Sequence, residues 1–291
     1  MVKDKYNAVW VSHSSIGDFL KCPRLYYLHN VYKSPVTGRK MNIVSPALSL
    51  GSAVHEVIEG LASFKVEERP QKLSRESLLD GLEKAWKKVS GKKGGFISEK
   101  EEGESKEKAK MMLERVEKNP GHLLEKTIKI KEGNNGMPTN FYLSEEDNII
   151  LCGKIDWLVY KPESDSVHIL DFKTGKNEEK EESLQLPIYQ LLLKKMQKRK
   201  IDGASYWYLL YDDFPTVVSL SDEKDSFDKV YSIAKKIKKA RDLGAIEGYE
   251  NIFVCPNGKE GCFACRPFEK VKRGEGEFVG IGDMRQDIFI V

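Results

Sequence analysis

The residues from Ile149 to Lys176, IILCGKIDWLVYKPESDSVHILDFKTGK, constrain the fold of this chain more than any other stretch. They hold two strand-like runs separated by a short acidic turn, and each run delivers an aspartate near its end. In the first run, period-2 alternation sets Ile149, Leu151, Ile155, Trp157 and Val159 on one face. Cys152, Lys154, Asp156 and Leu158 fall on the other, so the apolar face is expected to be core. Pro162, Ser164, Asp165 and Ser166 supply turn chemistry. The second run, Val167 to Lys173, sets Val167, Ile169, Asp171 and Lys173 on a common face, so Asp171 and Lys173 should project together.

Adjacent strands carrying Asp156 on one and Asp-x-Lys on the other bring two carboxylates and an ammonium to one rim of a sheet. Such a set suits phosphodiester chemistry. Hard divalent cations take oxygen ligands, usually one or two carboxylates with substrate phosphate and water filling the rest. A nearby lysine can hold the attacking water and offset charge that develops on phosphate. Taken alone, the same residues also read as a surface ion pair between Asp156 and Lys173, with Asp171 capping a turn.

The context extends the pattern. Gly153-x-x-Asp156, then Asp171-Phe172-Lys173-Thr174-Gly175-Lys176, then Gln185-x-x-x-Tyr189 resemble the PD-(D/E)XK nuclease superfamily, in particular its RecB/AddB-like branch. That branch includes CRISPR-associated exonucleases. Gly51-x-x-x-His55, on an upstream helical pattern, resembles the first motif of the same family. The resemblance implies a restriction-endonuclease-like α/β fold, a mixed central sheet flanked by helices. It implies magnesium or manganese bound by His55, Asp156, Asp171 and the carbonyl of Phe172, with Lys173 catalytic. It also places Gln185 and Tyr189 on the helix after the core strands, near metal-bound water and nucleic acid. Without the resemblance, His55 reads as a hydrogen-bonded structural histidine, and Gln185 with Tyr189 as a polar and aromatic pair on one helix face.

A chain of 291 residues is ample to bury a core. With 40% hydrophobic and 32% charged residues it reads as a globular protein. A net charge of +3 neither demands nor excludes nucleic acid, so any such surface must come from local clustering. No apolar run approaches the ~20 residues that span a bilayer, and the first residues lack a signal-peptide core, so a cytoplasmic or nucleoid-associated protein without a membrane partner is expected.

In chain order, Ser12 to Tyr32 reads as a Ser-capped amphipathic helix complicated by Pro23, and Lys33 to Ser45 as a loop. Pro46 to Phe64 has helical spacing. Residues 65–125 read as a helical insertion, with helices over Leu73 to Val89 and Ser105 to Leu124 around a mobile, charged linker, Ser90 to Gly103. Lys84, Lys87, Lys88, Lys92 and Lys93 read as a solvated face, with the lining of a DNA path as the alternative. Strands are expected over Thr127 to Ile130, Thr139 to Leu143, Tyr206 to Tyr211 and Thr216 to Leu220. Helices are expected over Leu184 to Lys198 and Asp225 to Leu243, and a short strand or docking segment closes the chain at Asp287 to Val291. The whole of 1–291 is read as a single nuclease domain.

Five cysteines, an odd number, argue against a disulfide framework. Cys255-x6-Cys262-x2-Cys265 groups three soft ligands in eleven residues made compact by Pro256, Gly258 and Gly261, which reads as a metal or cluster loop. Three thiolates do not complete a four-ligand site, and Cys22 is the obvious fourth. Cys22-Pro23 and the C-terminal trio resemble the clasp of the iron–sulfur members of the branch, which implies a 4Fe–4S cluster on Cys22, Cys255, Cys262 and Cys265. The resemblance has one departure: the family more often shows Cys-x2-Cys followed by its third cysteine, and here that cysteine precedes the pair. Zinc stays open. The C-terminal lobe, 250–291, is expected to pack with the N-terminal helix.

Together these features imply a metal-dependent DNA nuclease, with single-stranded DNA or DNA ends as substrate and an exonucleolytic mode. Two other classes fit the same sequence. One is a catalytically idle DNA-end-binding module; the other is a subunit of a helicase–nuclease, recombination or CRISPR spacer-acquisition complex. The chain itself carries no Gly-x4-Gly-Lys-Ser/Thr motor motif.

Overall fold

The strand carrying Asp171 and Lys173 is buried on both faces in the computed structural model of the protein, which describes residues 7–128, 138–258 and 260–291. Numbered along the chain, β5 (Trp157–Lys161), β6 (Ser166–Lys173), β7 (Lys200–Tyr208) and β8 (Thr216–Val218) form a four-stranded sheet in that order. β5 and β8 run antiparallel to their neighbours, whereas β6 and β7 are parallel and joined through the helix Gln185–Met196. A parallel pair needs such a crossover, and its strands tend to be apolar on both sides. Accordingly Val167 and Ile169 enter one core, while Leu170 and Phe172 enter the other.

β1 (Val9–Val11), β4 (Ile149–Gly153) and β3 (Thr139–Ser144) form a second sheet in the order β1-β4-β3. β2 (Met41–Ile43), β10 (Asp287–Ile290) and β9 (Glu277–Ile281) form a third, ordered β2-β10-β9. The architecture is therefore a mixed α/β one with several sheets flanked by helices, as a restriction-endonuclease-like fold requires.

The first core packs the β1-β4-β3 sheet and one face of β5–β7 against the helices Gln185–Met196 and Glu223–Glu247, with N- and C-terminal segments closing it. The second covers the opposite face of β5–β7 with the helices Pro46–Gly60, Arg75–Trp86 and Glu99–Lys118, burying Val54, Ile58, Leu82, Met112, Trp157 and Trp207. The helix bearing His55 thus lies on one side of the sheet and the helix bearing Tyr189 on the other.

The run from Ile149 to Val159 is not one strand. The chain leaves β4 at Gly153, turns through 154–156 and enters β5 in a different sheet. That corner resets the alternation: Ile149, Leu151 and Ile155 pack in the first core, Trp157 and Val159 in the second, and Leu158 returns to the first. Gly153, the last residue of β4, lets the helix Gln185–Met196 pack closely on it, since a Cβ there would meet Leu192 Cδ1 at 2.8 Å.

Other differences have equally local causes. Ser12 and Ser15 cap His13–Lys21 reciprocally, and the helix stops at Cys22, whose extended backbone (φ −167°, ψ 121°) is what a residue before proline prefers. A second short helix, Pro23–Tyr26, and a wider turn, Tyr27–Val31, follow. The segment read as a loose linker is packed: Gly94 and Phe96 are buried, and Glu102 accepts hydrogen bonds from Trp86 Nε1 and Gly91 N. The next helix begins at Glu99, because Ser98 caps it and three glutamates fill its first turn. β2 lies inside the expected loop at 33–45, and its partner strand is more than 240 residues away. Of the expected strand at 127–130, Thr127 bridges Val159; residues 129 and 130 and the Gly/Asn turn lie outside the described residues. Among the described residues no helix is long and apolar enough to cross a membrane.

Candidate active site

Antiparallel pairing of Trp157 with Leu170 brings Asp156, just ahead of β5, beside the end of β6. There the backbone N–H of Phe172 donates to Asp156 Oδ2 at 3.0 Å. Asp171 is 1% exposed, and its Oδ1 accepts from Gln185 Nε2 at 2.8 Å and from Tyr189 Oη at 3.2 Å. Gln185 also donates to Tyr189 Oη at 3.0 Å. These two side chains share a face because they are four residues apart on one helix. Lys173, two residues beyond Asp171 and on the same side of the strand, places Nζ 2.8 Å from Asp171 Oδ2 and 3.2 Å from Glu179 Oε1. It also donates to Gln185 Oε1.

His55 approaches from the opposite helix. One turn earlier, Gly51 lies against the DFKTGK segment so closely that a Cβ would stand 2.8 Å from Thr174 Oγ1. The glycine of the Gly-x-x-x-His motif therefore lets the helix reach the strand. His55 Nδ1 is 3.2 Å from Glu59 Oε1 and 3.4 Å from Asp156 Oδ2. A cavity of ≈580 Å³ opens on His55, Glu59, Lys154 and Asp156.

Across residues 10–267, from β1 to just past Cys265, the chain matches the family model of the PD-(D/E)XK nuclease superfamily. The protein belongs to the PD-(D/E)XK nuclease superfamily. No curated protein is significantly similar to it in sequence. Membership implies a metal-dependent nuclease, with nucleic acid as substrate.

The residues singled out from the sequence form two adjoining groups. Asp156 joins His55 and Glu59, whose ligand atoms lie within 4.8 Å of one another. Asp171 joins Lys173, Gln185 and Tyr189. Phe172 lies between them, with its ring buried and its N–H on Asp156. Sequence reasoning missed Glu59 and Glu179. The first had a readable signal, since it stands four residues after His55. The second sits in an acidic loop without periodicity.

Negative charge dominates the electrostatics. Burial, and then Asp171 and Glu59, push the Asp156 carboxyl up to about 7, against the pull of His55 and the Phe172 N–H. Burial lowers the pKa of His55, yet Glu59, Asp156 and Asp171 outweigh it and hold the imidazole above its ordinary value. Lys173 is likewise raised against burial by Asp171 and Glu179. Burial, with Asp171 beside it, holds Tyr189 well above the usual phenol range. Asp171 Oδ2 is buried and faces Lys173, yet receives no well-directed hydrogen bond. Crowded carboxylates, an imidazole and a buried carboxylate oxygen open to a further ligand form a donor set that suits a divalent cation.

A second group that could hold a metal joins the N- and C-terminal segments of this PD-(D/E)XK chain. Cys22, Cys255, Cys262 and Cys265 are free thiols whose sulfurs lie within 4.8 Å of one another, and Cys262 and Cys265 are 3.8 Å apart. Cys262 N also donates to Cys255 Sγ at 3.2 Å. Backbone N–H groups of Cys265 and Ala264 outweigh burial and bring Cys262 down to about 7, whereas burial raises Cys22 and Cys265. Four converging thiols fit a metal centre. Cys152 stands apart with its sulfur on Val11 O, and burial raises it to about 11. Around the clasp, Arg24 Nε pairs with Glu269 at 2.5 Å and Nη1 with Glu250 at 2.6 Å, while Tyr26 and Tyr27 stack on Phe253.

Proposed function

We propose that the protein is a deoxyribonuclease that degrades single-stranded DNA or DNA ends from a terminus. The observation that carries this reading is the Lys173–Asp171 contact of 2.8 Å, with the N–H of the intervening Phe172 bound to Asp156 just ahead of the adjacent strand. Asp156, Asp171, His55 and the Phe172 carbonyl hold magnesium or manganese. When bound, the ion lowers the pKa of its water and polarises the phosphoryl oxygen. Gln185 and Tyr189 position Asp171 by donating to Oδ1, which leaves Oδ2 for the site. Lys173 orients the attacking water and offsets charge that grows on the phosphate. To do so it loosens its hold on Glu179, the most exposed of its carboxylate partners.

An idle binding module would be expected to have gaps in this set, and His55, Asp156, Asp171 and Lys173 are all present. Work inside a helicase–nuclease or spacer-acquisition complex is compatible with the same chemistry, the motor then residing on another chain.

We assign the four cysteines to a structural clasp that ties residues 250–291 to the N-terminal helices of a single nuclease domain, with 65–125 as its helical insertion. Resemblance favours a 4Fe–4S cluster. One observation favours zinc: sulfurs 3.8 Å apart match the edge of about 3.8 Å that Zn–S bonds of ~2.3 Å give in a tetrahedron.

Digestion of matched linear and covalently closed circular single strands, with manganese, magnesium or EDTA, tests the mode. Loss of the linear form alone, abolished by EDTA, is expected. Equal cutting of circles would replace the exonuclease with an endonuclease.

A further inference from the structure

Arg69 is 2% exposed, and carbonyl oxygens rather than an acid hold its guanidinium. Nη1 donates to Leu123 O at 3.0 Å and to Glu125 O at 2.6 Å, and Nε donates to Phe64 O at 3.4 Å. Its Cζ stands 5.1 Å over the centre of the Trp157 ring. These dipoles solvate the charge without cancelling it, and a guanidinium stays protonated even where burial lowers its pKa, as burial does here. Arg69 borders a cavity of ≈320 Å³ whose walls also include Lys65, Lys126, Phe64 and Tyr160. Acids close by are turned to other partners: Glu68 accepts from the Lys65 backbone N–H, and Glu125 pairs with His122 and Lys161. Among the described residues, no carboxylate forms an ion pair with Arg69, Lys65 or Lys126. Three positive charges thus meet at one cavity.

This cavity follows the same two elements as the candidate active site. The helix Pro46–Gly60 and the corner before β5 give His55, Gly60 and Asp156 to the cavity of ≈580 Å³. The chain just past that helix gives Ala62 and Phe64 to this one, and β5 gives it Tyr160. Tyr160 stands four residues after Asp156, ~13 Å along an extended chain. At a rise of ~3.4 Å per nucleotide, that is about four nucleotides. We propose that Arg69, Lys65 and Lys126 form a subsite for a backbone phosphate of the nucleic-acid strand, about four nucleotides from the bond cut beside Asp156. The subsite rests on the nuclease reading for the identity of its ligand, and adds to it a hold on the substrate away from the metal. Arg69 supplies a fixed fork that matches two phosphate oxygens, and the exposed Lys65 and Lys126 supply mobile charge at the rim.

Fluorescence anisotropy of labelled oligothymidylates of about 2 to 12 residues, bound to the full chain in calcium at several chloride concentrations, tests this. Arg69 is buried and its loss would disturb the fold, so the test removes the two exposed side chains together, Lys65→Ala with Lys126→Ala. Wild-type affinity should step up once an oligomer is long enough to reach the subsite. The double variant should lose that step and show a salt slope shallower by about 1, with affinity for the shortest oligomers unchanged. Lys236→Ala with Lys239→Ala, which removes equal charge from the exposed side of the helix Glu223–Glu247, should keep the step. A step and slope equal in wild type and the Lys65, Lys126 variant would overturn the subsite and leave Arg69 as a structural tie, with the nuclease reading intact. Equal loss in the Lys236, Lys239 variant would also overturn it, as would displacement of the oligomer by millimolar inorganic phosphate at constant ionic strength, which marks a free-anion site. Because the readout is binding, a parallel manganese digest without cleavage would count against the nuclease reading alone.

Discussion

The backbone N–H of Phe172 donates to Asp156 Oδ2 at 3.0 Å, so the carboxylate that precedes one strand is fastened to the main chain between Asp171 and Lys173 on the next. The chain turns a corner at 154–156, and without such an anchor a corner residue would be free to point to solvent. The bond turns three short sequence signals into one rim.

Gln185 and Tyr189 both donate to the buried Asp171 Oδ1, so removing one donor leaves the other in place. Tyr189→Phe is expected to lower kcat by about tenfold or less with KM unchanged. The double variant Gln185→Ala, Tyr189→Phe leaves a buried carboxylate oxygen without a donor, destabilising the protein by about 1–3 kcal/mol and reducing kcat further. Kinetics on a fixed oligonucleotide, with urea unfolding alongside, checks both. A raised KM with normal kcat would instead place these side chains against the nucleic acid.

Asp156 makes the metal-free protein sensitive to pH. Its folded pKa of about 7 lies above its ordinary 3.8, so between these values the folded state keeps a proton that the unfolded chain has lost. Stability from this group therefore falls as pH rises through that window, and the full penalty is present above about 7. In protein freed of magnesium and manganese, Asp156→Asn should be more stable than wild type at pH 8 by about 1–3 kcal/mol and nearly equal at pH 4. Urea unfolding at several pH values measures it; an advantage that does not change with pH would contradict the assignment.

Cys22 is the only member of the clasp contributed by the N-terminal segment, so Cys22→Ala should lose the bound metal and lower the melting temperature. Cys152→Ala should keep the metal, because its sulfur is on Val11 O instead. Elemental analysis of anaerobically purified protein separates the centres: four irons with broad visible absorbance for the cluster, one colourless zinc for the single ion. A metal-replete, equally stable Cys22→Ala variant would remove Cys22 from the ligand set.

Arg24 and Glu269, each 11% exposed in their side chains, form an ion pair beside the clasp. Breaking such a pair leaves an uncompensated buried charge, so Arg24→Ala should cost about 3 kcal/mol or more. Arg24→Leu with Glu269→Leu should recover much of that. Glu250 is 47% exposed, and Glu250→Ala should cost at most about 1 kcal/mol. Denaturation of the four proteins tests the ordering.

The sequence carried the site better than the scaffold around it. Val167, Ile169, Asp171 and Lys173 alternate as they do in β6 because the strand is regular, and Gln185 and Tyr189 pair because helical spacing is rigid. The corner at 154–156 was invisible to alternation, since both segments it joins are apolar and the break shows only as a change of sheet. β2 was hidden for another reason: three residues in a polar segment become a strand only when β10 supplies the hydrogen bonds from the far end of the chain. Glu102 turned a Gly/Lys/Glu-rich segment into packed structure through long-range bonds to Trp86 and Gly91 that composition does not register. Glu179 reached Lys173 through an irregular loop for the same reason.

The Asp171–Lys173 pair beside Asp156 is expected to hydrolyse DNA. The most direct measurement is degradation of end-labelled single-stranded DNA in manganese by wild type, Asp171→Ala and Lys173→Ala, with binding of the same DNA measured in parallel. The expected result is metal-dependent cleavage by wild type, reduced at least ~10²–10³-fold in each variant, with affinity changed only a few-fold. Cleavage retained in both variants would contradict the assigned site, and a wild type that binds DNA but cleaves nothing with either metal would contradict the activity itself.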